Sequence, residues 1–437
     1  MRPLEALFIG ALVLTLFLRW MQPRNRQVTA TLLAMVGIMA VLHFIFDSWR
    51  WEMIPAYAMG VAAAFVLSRD LRRTTDAKLG ESSRYAAIPS TVERVGWGAL
   101  LAVATVATVV IPHFAFPRIK FAEPDGLYYV GRLDLTLTDP ARSNRPVEVT
   151  IWYPAEEPNG KALRYHPAPG RLASGLAKGT SLPAFTFRNL SGARTYSTRE
   201  PRFSIREGLS PIVLVSNERG ASRYEGTALH EQLASHGYVV ASVGEDGSLE
   251  SGPTSDFDQR AGDLAFVLDR LVKLPAGGAI DTLKSHVRTD RVAIIGQGAG
   301  ALAAMDLAAS DSRVTAVEAI VPESFGAQAQ HGVRRPFLIF TAGEMTGLED
   351  AMRYGGTEAR LEAATPMALS DRALLGKPIV GMLGIESGDS PQDLHAAVSA
   401  LTLRFLDQYL KERRAATEVD LPSRVRVRII PHQPRAG

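Results

Sequence analysis

The stretch RVAIIGQGAGALAAM (residues 291–305) decides the fold. Its first part, Arg291–Ile295, is a short apolar, β-branched run of the kind that forms a buried strand. Its last part opens a run of good helix formers, Ala301–Ala309. Between them lies Gly296-Gln297-Gly298-Ala299-Gly300. A strand that turns into a helix through such a segment has the frame of a nucleophile elbow, G-x-S-x-G, in which a sharp turn lifts a serine. The outer glycines, Gly296 and Gly300, are present. The centre is Gly298, which has no side chain to attack a carbonyl. The same letters nearly fit the dinucleotide loop G-x-G-x-x-G/A. That loop follows the first strand of its domain, with an acidic strand end about 20 residues on. Here the strand comes fifth or sixth and no such acid follows, so no cofactor is expected.

Outward from the elbow, strands and helices alternate. Pro211–Ser216, Tyr238–Val243, Val314–Val321, Phe337–Thr341 and Pro378–Leu383 read as buried strands. Thr227–His236, Gln259–Leu274 and Leu394–Leu410 read as helices, with apolar residues such as Leu264, Val267, Leu268 and Leu271 at helical spacing. Continuous apolar strands alternating with helices predict a doubly wound, mostly parallel sheet covered on both faces. Arg132–Thr138 and Val147–Tyr153 alternate polar and apolar, as an antiparallel hairpin does. The Gly-, Pro- and Ser-rich stretch Glu156–Pro201 reads as an irregular insertion. Val425–Ile430 alternates Arg with apolar residues and reads as either an edge strand or part of a basic tail over 414–437.

With 437 residues, two or three domains are expected. Four apolar runs crowd the first 117 residues: Leu4–Leu18, Val28–Phe46, Met53–Ser68 and Val95–Phe116. They predict a four-helix transmembrane bundle over 1–117, followed by a water-soluble domain over 118–413. Arg19, Arg24 and Arg26 lie in the first loop, and Arg69, Arg72, Arg73, Lys78, Arg84 and Arg94 in the third. Basic loops stay in the cytoplasm. Both termini and the C-terminal domain are thus expected to be periplasmic, on a bacterial inner membrane, with Trp49 and Trp51 at the outer interface. His43, near the end of the second run, reads as a packed or interfacial residue. A net charge of +3 is too small to imply nucleic acid. The absence of Cys excludes disulfides and thiolate chemistry. The nine His show no H-x-x-x-H or H-E-x-x-H spacing, so no metal site is expected.

The segments RLDLTLTDPARSNRPVEVTIWYPA (132–155), SPIVLVSNERGASRYEGTALHEQLASHGYVVASV (210–243), FDQRAGDLAFVLDRL (257–271) and RVAIIGQGAGALAAM carry a family resemblance. In order and spacing the soluble part resembles the α/β-hydrolases that include platelet-activating-factor acetylhydrolases and dienelactone-hydrolase-like esterases. The resemblance implies ester hydrolysis by a Ser-His-Asp triad with a backbone oxyanion hole. Each position it marks departs from that pattern. The nucleophile is replaced by Gly298. The oxyanion segment, S-H/P-G-x-G-G in the family, is Ser216-Asn217-Glu218-Arg219-Gly220-Ala221, with Glu218 setting a negative charge among the donors. The acid is expected after Phe337–Thr341, where Glu344 is the available carboxylate. The loop expected to carry the His, after Pro378–Leu383, holds Ser387 instead, and the next His is His395, read as an exposed helix residue.

Triad members act as a unit, so losing Ser and His together leaves no nucleophilic mechanism. The sequence therefore predicts a catalytically inactive, membrane-anchored hydrolase-like subunit that binds membrane lipid and other membrane subunits. Two further readings stay open. One is an active ester hydrolase with a displaced nucleophile, for which Ser216, Ser222 and Ser387 are the candidates. The other is a lipid-binding sensor that uses the vacated pocket.

Overall fold

The computed structural model describes residues 3–21, 26–46, 53–76, a few isolated positions between 95 and 106, and 116–435 apart from 207, 245–256, 274–282, 284–285, 326, 386 and 414–419. The chain divides into two compact units, Met1–Pro117 and Arg118–Gly437.

The first unit contains α1 (Pro3–Met21), α2 (Arg26–Phe46) and α3 (Ile54–Asp76). Phe8, Leu12, Val36, Ala56 and Ala63 form its core. His43 is buried, with Nε2 at 2.7 Å from the Tyr57 hydroxyl and its ring stacked on Phe8. The expected bundle of four membrane-spanning helices is overturned. Among the described residues one helix, Gln27–Ile45 within α2, is long and apolar enough to cross a membrane. The apolar part of α1 is Leu7–Leu18, shorter than the ~17–25 residues a span needs. The third run does not stop at Ser68, because α3 continues through Arg69, Asp70, Arg72 and Arg73. Most of the fourth run lies outside the described residues, as do Trp49, Trp51 and the third-loop cations Lys78, Arg84 and Arg94. The periplasmic placement counted loops between four spans and loses that basis.

The second unit opens with the hairpin β1 (Tyr129–Asp139) and β2 (Arg145–Ala155), paired in full from Tyr129↔Ala155 to Asp139↔Arg145. Asp139 shapes the connection by accepting a hydrogen bond from Ala141 N at 3.0 Å. The stretch expected to be irregular contains α4 (Pro169–Lys178), α5 (Arg188–Ser191) and the short β3 (Thr198–Arg199). Then follow β4 (Ser210–Ser216), α6 (Thr227–Ser235), β5 (Val239–Val243), α7 (Phe257–Lys273), β6 (Val287–Gln297), α8 (Ala299–Ser310) and β7 (Val314–Ile320). The chain continues through α9 (Ala327–Gln330), β8 (Phe337–Thr341), α10 (Leu348–Ala351), β9 (Gly356–Leu361), α11 (Lys377–Met382), α12 (Pro391–Leu410) and β10 (Val427–His432).

The sheet has ten strands in the order β10-β9-β8-β7-β6-β4-β5-β2-β1-β3. From β5 to β9 the neighbours are parallel, and β10 closes the edge antiparallel to β9. Val213, Val240, Ala293, Val317 and Ile339 are fully buried, because helices cover both faces and a strand there cannot alternate. Leu264, Leu268, Ala304 and Met305 of α7 and α8 share one core layer, while α6 and α12 contact each other across the opposite face. β4 lies between β5 and β6, so the winding reverses there. The crevice at the carboxyl ends of strands flanking such a reversal is where open α/β sheets bind ligands. The loops after β4 and β6 meet in it.

One strand expectation fails. Pro378–Leu383 forms helix α11, in which Pro378 occupies the first turn, where its missing N–H is harmless. The last parallel strand is β9 instead. Its sequence, Gly356-Thr357-Glu358-Ala359-Arg360-Leu361, is too charged to read as buried. Glu358 is nevertheless buried, accepting from Thr341 Oγ1 at 2.7 Å and Arg360 Nε at 2.8 Å.

Candidate functional site

The elbow backbone is intact. Gly298 has φ +53° and ψ −118°, a conformation that strains any residue with a Cβ. Its N–H donates to Ile320 O at 3.0 Å, tying the turn to β7. A Cβ at Gly296 would lie 2.7 Å from Ala301 N, and one at Gly300 would lie 2.7 Å from Asn217 O and nearer still to Ser216 O. Both glycines therefore permit the close approach of β6, α8 and the loop after β4.

That loop starts with Ser216 and Asn217, both buried. Asn217 Nδ2 donates to Ser222 O at 3.0 Å and Glu225 O at 3.2 Å, and Asn217 O accepts from Arg260 Nη1 at 2.9 Å. Asn217 thus fixes the loop's curl rather than facing the crevice. The curl sends the Glu218 side chain across to the elbow. Glu218 Oε1 accepts from Arg219 N at 3.0 Å and from Ala299 N at 3.4 Å. In a serine hydrolase of this fold, the N–H after the nucleophile and an N–H from this same loop make the oxyanion hole. The carboxylate also fills the nucleophile's space, since a Cβ on Gly298 would be 2.7 Å from Glu218 Oε1 and closer to Oε2. Burial pushes Glu218 above the ordinary carboxylate range, and neighbouring Glu323 adds to the rise.

The remaining cavity is about 20 Å³, room for roughly one water molecule. Glu218, Gln297, Val321, Pro366, Met367 and Arg372 are among its walls. Pro366 and Met367 come from the loop after β9, which is the position in chain order for a catalytic histidine. The Ser387 assignment rested on the mistaken strand at Pro378–Leu383. Ser387 Oγ donates to Ala363 O at 3.0 Å and does not line the cavity. Ser216 and Ser222 do not line it either, and Ser222 Oγ accepts from Tyr224 N at 3.2 Å. Glu344 is exposed on the loop after β8. His395 is not an exposed helix residue: it is half-buried, and burial lowers its pKa. Its Nε2 has no hydrogen-bond partner.

Sequence reasoning missed the polar cluster behind the cavity. Glu225 Oε1 accepts from Ser370 Oγ at 2.8 Å and Asp371 N at 2.6 Å. Asp371 Oδ2 accepts from Gly226 N at 2.8 Å and Tyr165 Oη at 3.0 Å. Burial drives Asp371 well above its usual range and the Glu225 charge reinforces the rise. Ser370 lines the cavity, but its hydroxyl is committed to Glu225. No cluster of three or more His, Cys, Asp or Glu suited to a metal occurs among the described residues.

The chain has an α/β-hydrolase fold similar to that of a ferulic acid esterase from Streptomyces cinnamoneus. The two are 25% identical, with a TM-score of 0.55, over 69% of this chain and 96% of that one. No protein-family model matches the sequence, and no curated protein matches it. The esterase-like fold of residues beyond the N-terminal helices stands on this similarity and on the strand order.

Proposed function

We propose that this protein is a catalytically inactive, esterase-like subunit that serves in binding or assembly and is anchored through the long apolar helix α2. The observation that carries the reading is the position of the Glu218 carboxylate. It stands in the space of a nucleophile side chain and on the two backbone donors an oxyanion would need. A negative charge there repels the developing oxyanion instead of stabilising it. Among the described residues no His lines the cavity to act as base. The membrane bundle expected from the four apolar runs is not needed for this role. One helix suffices as an anchor.

The test is fluorophosphonate labelling of the purified full chain, together with turnover of p-nitrophenyl acetate and methyl ferulate. No adduct and no turnover above buffer are expected. A mapped serine adduct, with turnover abolished by changing that serine, overturns the proposal in favour of a displaced nucleophile. Ser370, the serine on the cavity wall, is the first place to look.

A further inference from the structure

The cluster behind the elbow cavity holds two carboxyl groups that the proposed role leaves unused. Glu225 stands on the loop after β4. Asp371 stands on a strap that follows β9, made of two short 3-10 turns, Pro366–Leu369 and Asp371–Leu374. The two residues are 5% and 1% exposed, and among the described residues neither forms an ion pair.

Tyr165 joins them. Its hydroxyl lies 3.0 Å from Asp371 Oδ2 and 3.3 Å from Glu225 Oε2. A phenol has one proton to donate. Both contacts are full hydrogen bonds only when one carboxyl is protonated and donates back to the phenol oxygen. The count of donors and acceptors thus calls for a proton shared along a carboxyl–phenol–carboxylate chain. Two like charges buried this close cannot both ionise. The rise of Asp371 through burial and the Glu225 charge agrees with the count, and burial keeps the Tyr165 phenol protonated well into alkaline pH. The groups around the chain do not relieve it. His395 of α12 feels the Glu225 charge, but burial lowers its pKa and leaves it neutral above neutral pH. Arg132 of β1 directs Nη1 to the Arg164 and Tyr165 carbonyl oxygens, at 2.9 and 3.4 Å. Arg372, next to Asp371 on the strap, has a buried Nε with no hydrogen-bond partner. Glu218, which lines the same cavity as Glu225, only adds negative charge.

The same two carboxyls hold the strap in place. Glu225 Oε1 accepts from Ser370 Oγ and Asp371 N, and Asp371 Oδ2 accepts from Gly226 N at the start of α6. The strap in turn supplies Pro366, Met367, Ser370 and Arg372 to the walls of the elbow cavity. Hydrating both carboxylates therefore breaks the bonds that keep this wall closed. A carboxyl that holds its proton more tightly when buried stabilises the closed form at low pH and ceases to do so as pH rises. We propose that Glu225, Tyr165 and Asp371 form a proton-operated clasp, closed while they share one proton and open, with the elbow cavity uncovered, once that proton is lost. The clasp does not depend on whether the cavity serves binding or hydrolysis: fluorophosphonate labelling decides that question, and the strap's mobility decides this one.

The test is hydrogen exchange of the full chain in a neutral maltoside detergent at pH 7 and pH 9, corrected for intrinsic exchange, with peptides of β7 as the reference for global unfolding. Protection of residues 366–374 is expected to fall at least about tenfold more than that of β7 between the two, as loss of one linked proton allows. Asp371→Asn and Glu225→Gln each remove one charge and leave an amide that can still bond Tyr165. In either variant the excess fall should shrink below about threefold. Should one of them fail to fold, the other decides. Protection of the strap that tracks β7 in the parent would overturn the clasp, as would a fall on the acid side or a folded variant that keeps the parent's excess fall.

Discussion

Gly298→Ser, the substitution that would restore the missing hydroxyl, should instead destabilise the protein, and Glu218 should be the reason. Two contributions add. A serine held at φ +53°, ψ −118° costs on the order of 1–3 kcal/mol in backbone strain. Its Cβ also claims space held by the Glu218 carboxylate, which must leave two backbone N–H donors. Each such charge-assisted bond is worth ~1.5–3 kcal/mol when buried. Glu218 is only half-buried, so water recovers part of that, and about 2 kcal/mol in total is the reasonable figure. The single variant should therefore lose about 3–5 kcal/mol. In a Glu218→Ala background, the same serine should cost only the backbone part. A double-mutant cycle by denaturant unfolding of the full chain should show a coupling of about 2 kcal/mol. Coupling below roughly 0.5 kcal/mol would mean that the carboxylate does not hold that space. The double variant should remain unlabelled by fluorophosphonate, since Pro366 and Met367 stand where a base is required.

Two further outcomes follow from burial and from close packing. Glu318 is fully buried in β7 with one hydrogen bond, from Thr402 Oγ1 at 2.7 Å, and burial raises its pKa to about 8. Between its unfolded value and that one, the folded state keeps a proton the unfolded state has lost. Stability is then greatest at acid pH and falls as pH rises from about 4.5 to 8, by roughly 2–5 kcal/mol overall. Glu318→Gln should flatten that slope and melt higher than the parent at pH 8.5 but not at pH 4.5; parallel melting curves would refute it. Gly300→Ala should cost at least about 1–3 kcal/mol, because the added methyl meets backbone oxygens that cannot swing away. A melting temperature within a degree of the parent would show that β4 and α8 are less tightly apposed than described.

The sequence carried the sheet's central strands because β4 to β8 are apolar on both faces and have no other reading. It failed at β9, where a buried Glu358 is compensated by Thr341, Arg360 and His432 from two other strands and its own. Such compensation is tertiary, so a linear pattern cannot contain it. The false strand at Pro378–Leu383 had the right composition, and only its neighbours decide between six residues of strand and a short helix. The error moved the expected histidine loop by some twenty residues and made Ser387 a candidate. Gly298 was legible as an absence. That Glu218 fills the gap was not, because it depends on the curl imposed by Asn217 and Arg260. The membrane expectation overcounted for a simple reason: an apolar run was scored without the charged turns into which its helix continues, as α3 shows.

The lodging of the Glu218 carboxylate over Gly298 also constrains the order in which any change at this centre can be tolerated. A hydroxyl cannot return while the acidic group remains, and clearing that group first leaves a hollow with nothing to fill it. A histidine arriving alone would find no partner. On the reading proposed above, the route to hydrolysis at this centre is a climb whose early steps all lose stability without gaining chemistry, and the inactive state behaves as a ratchet.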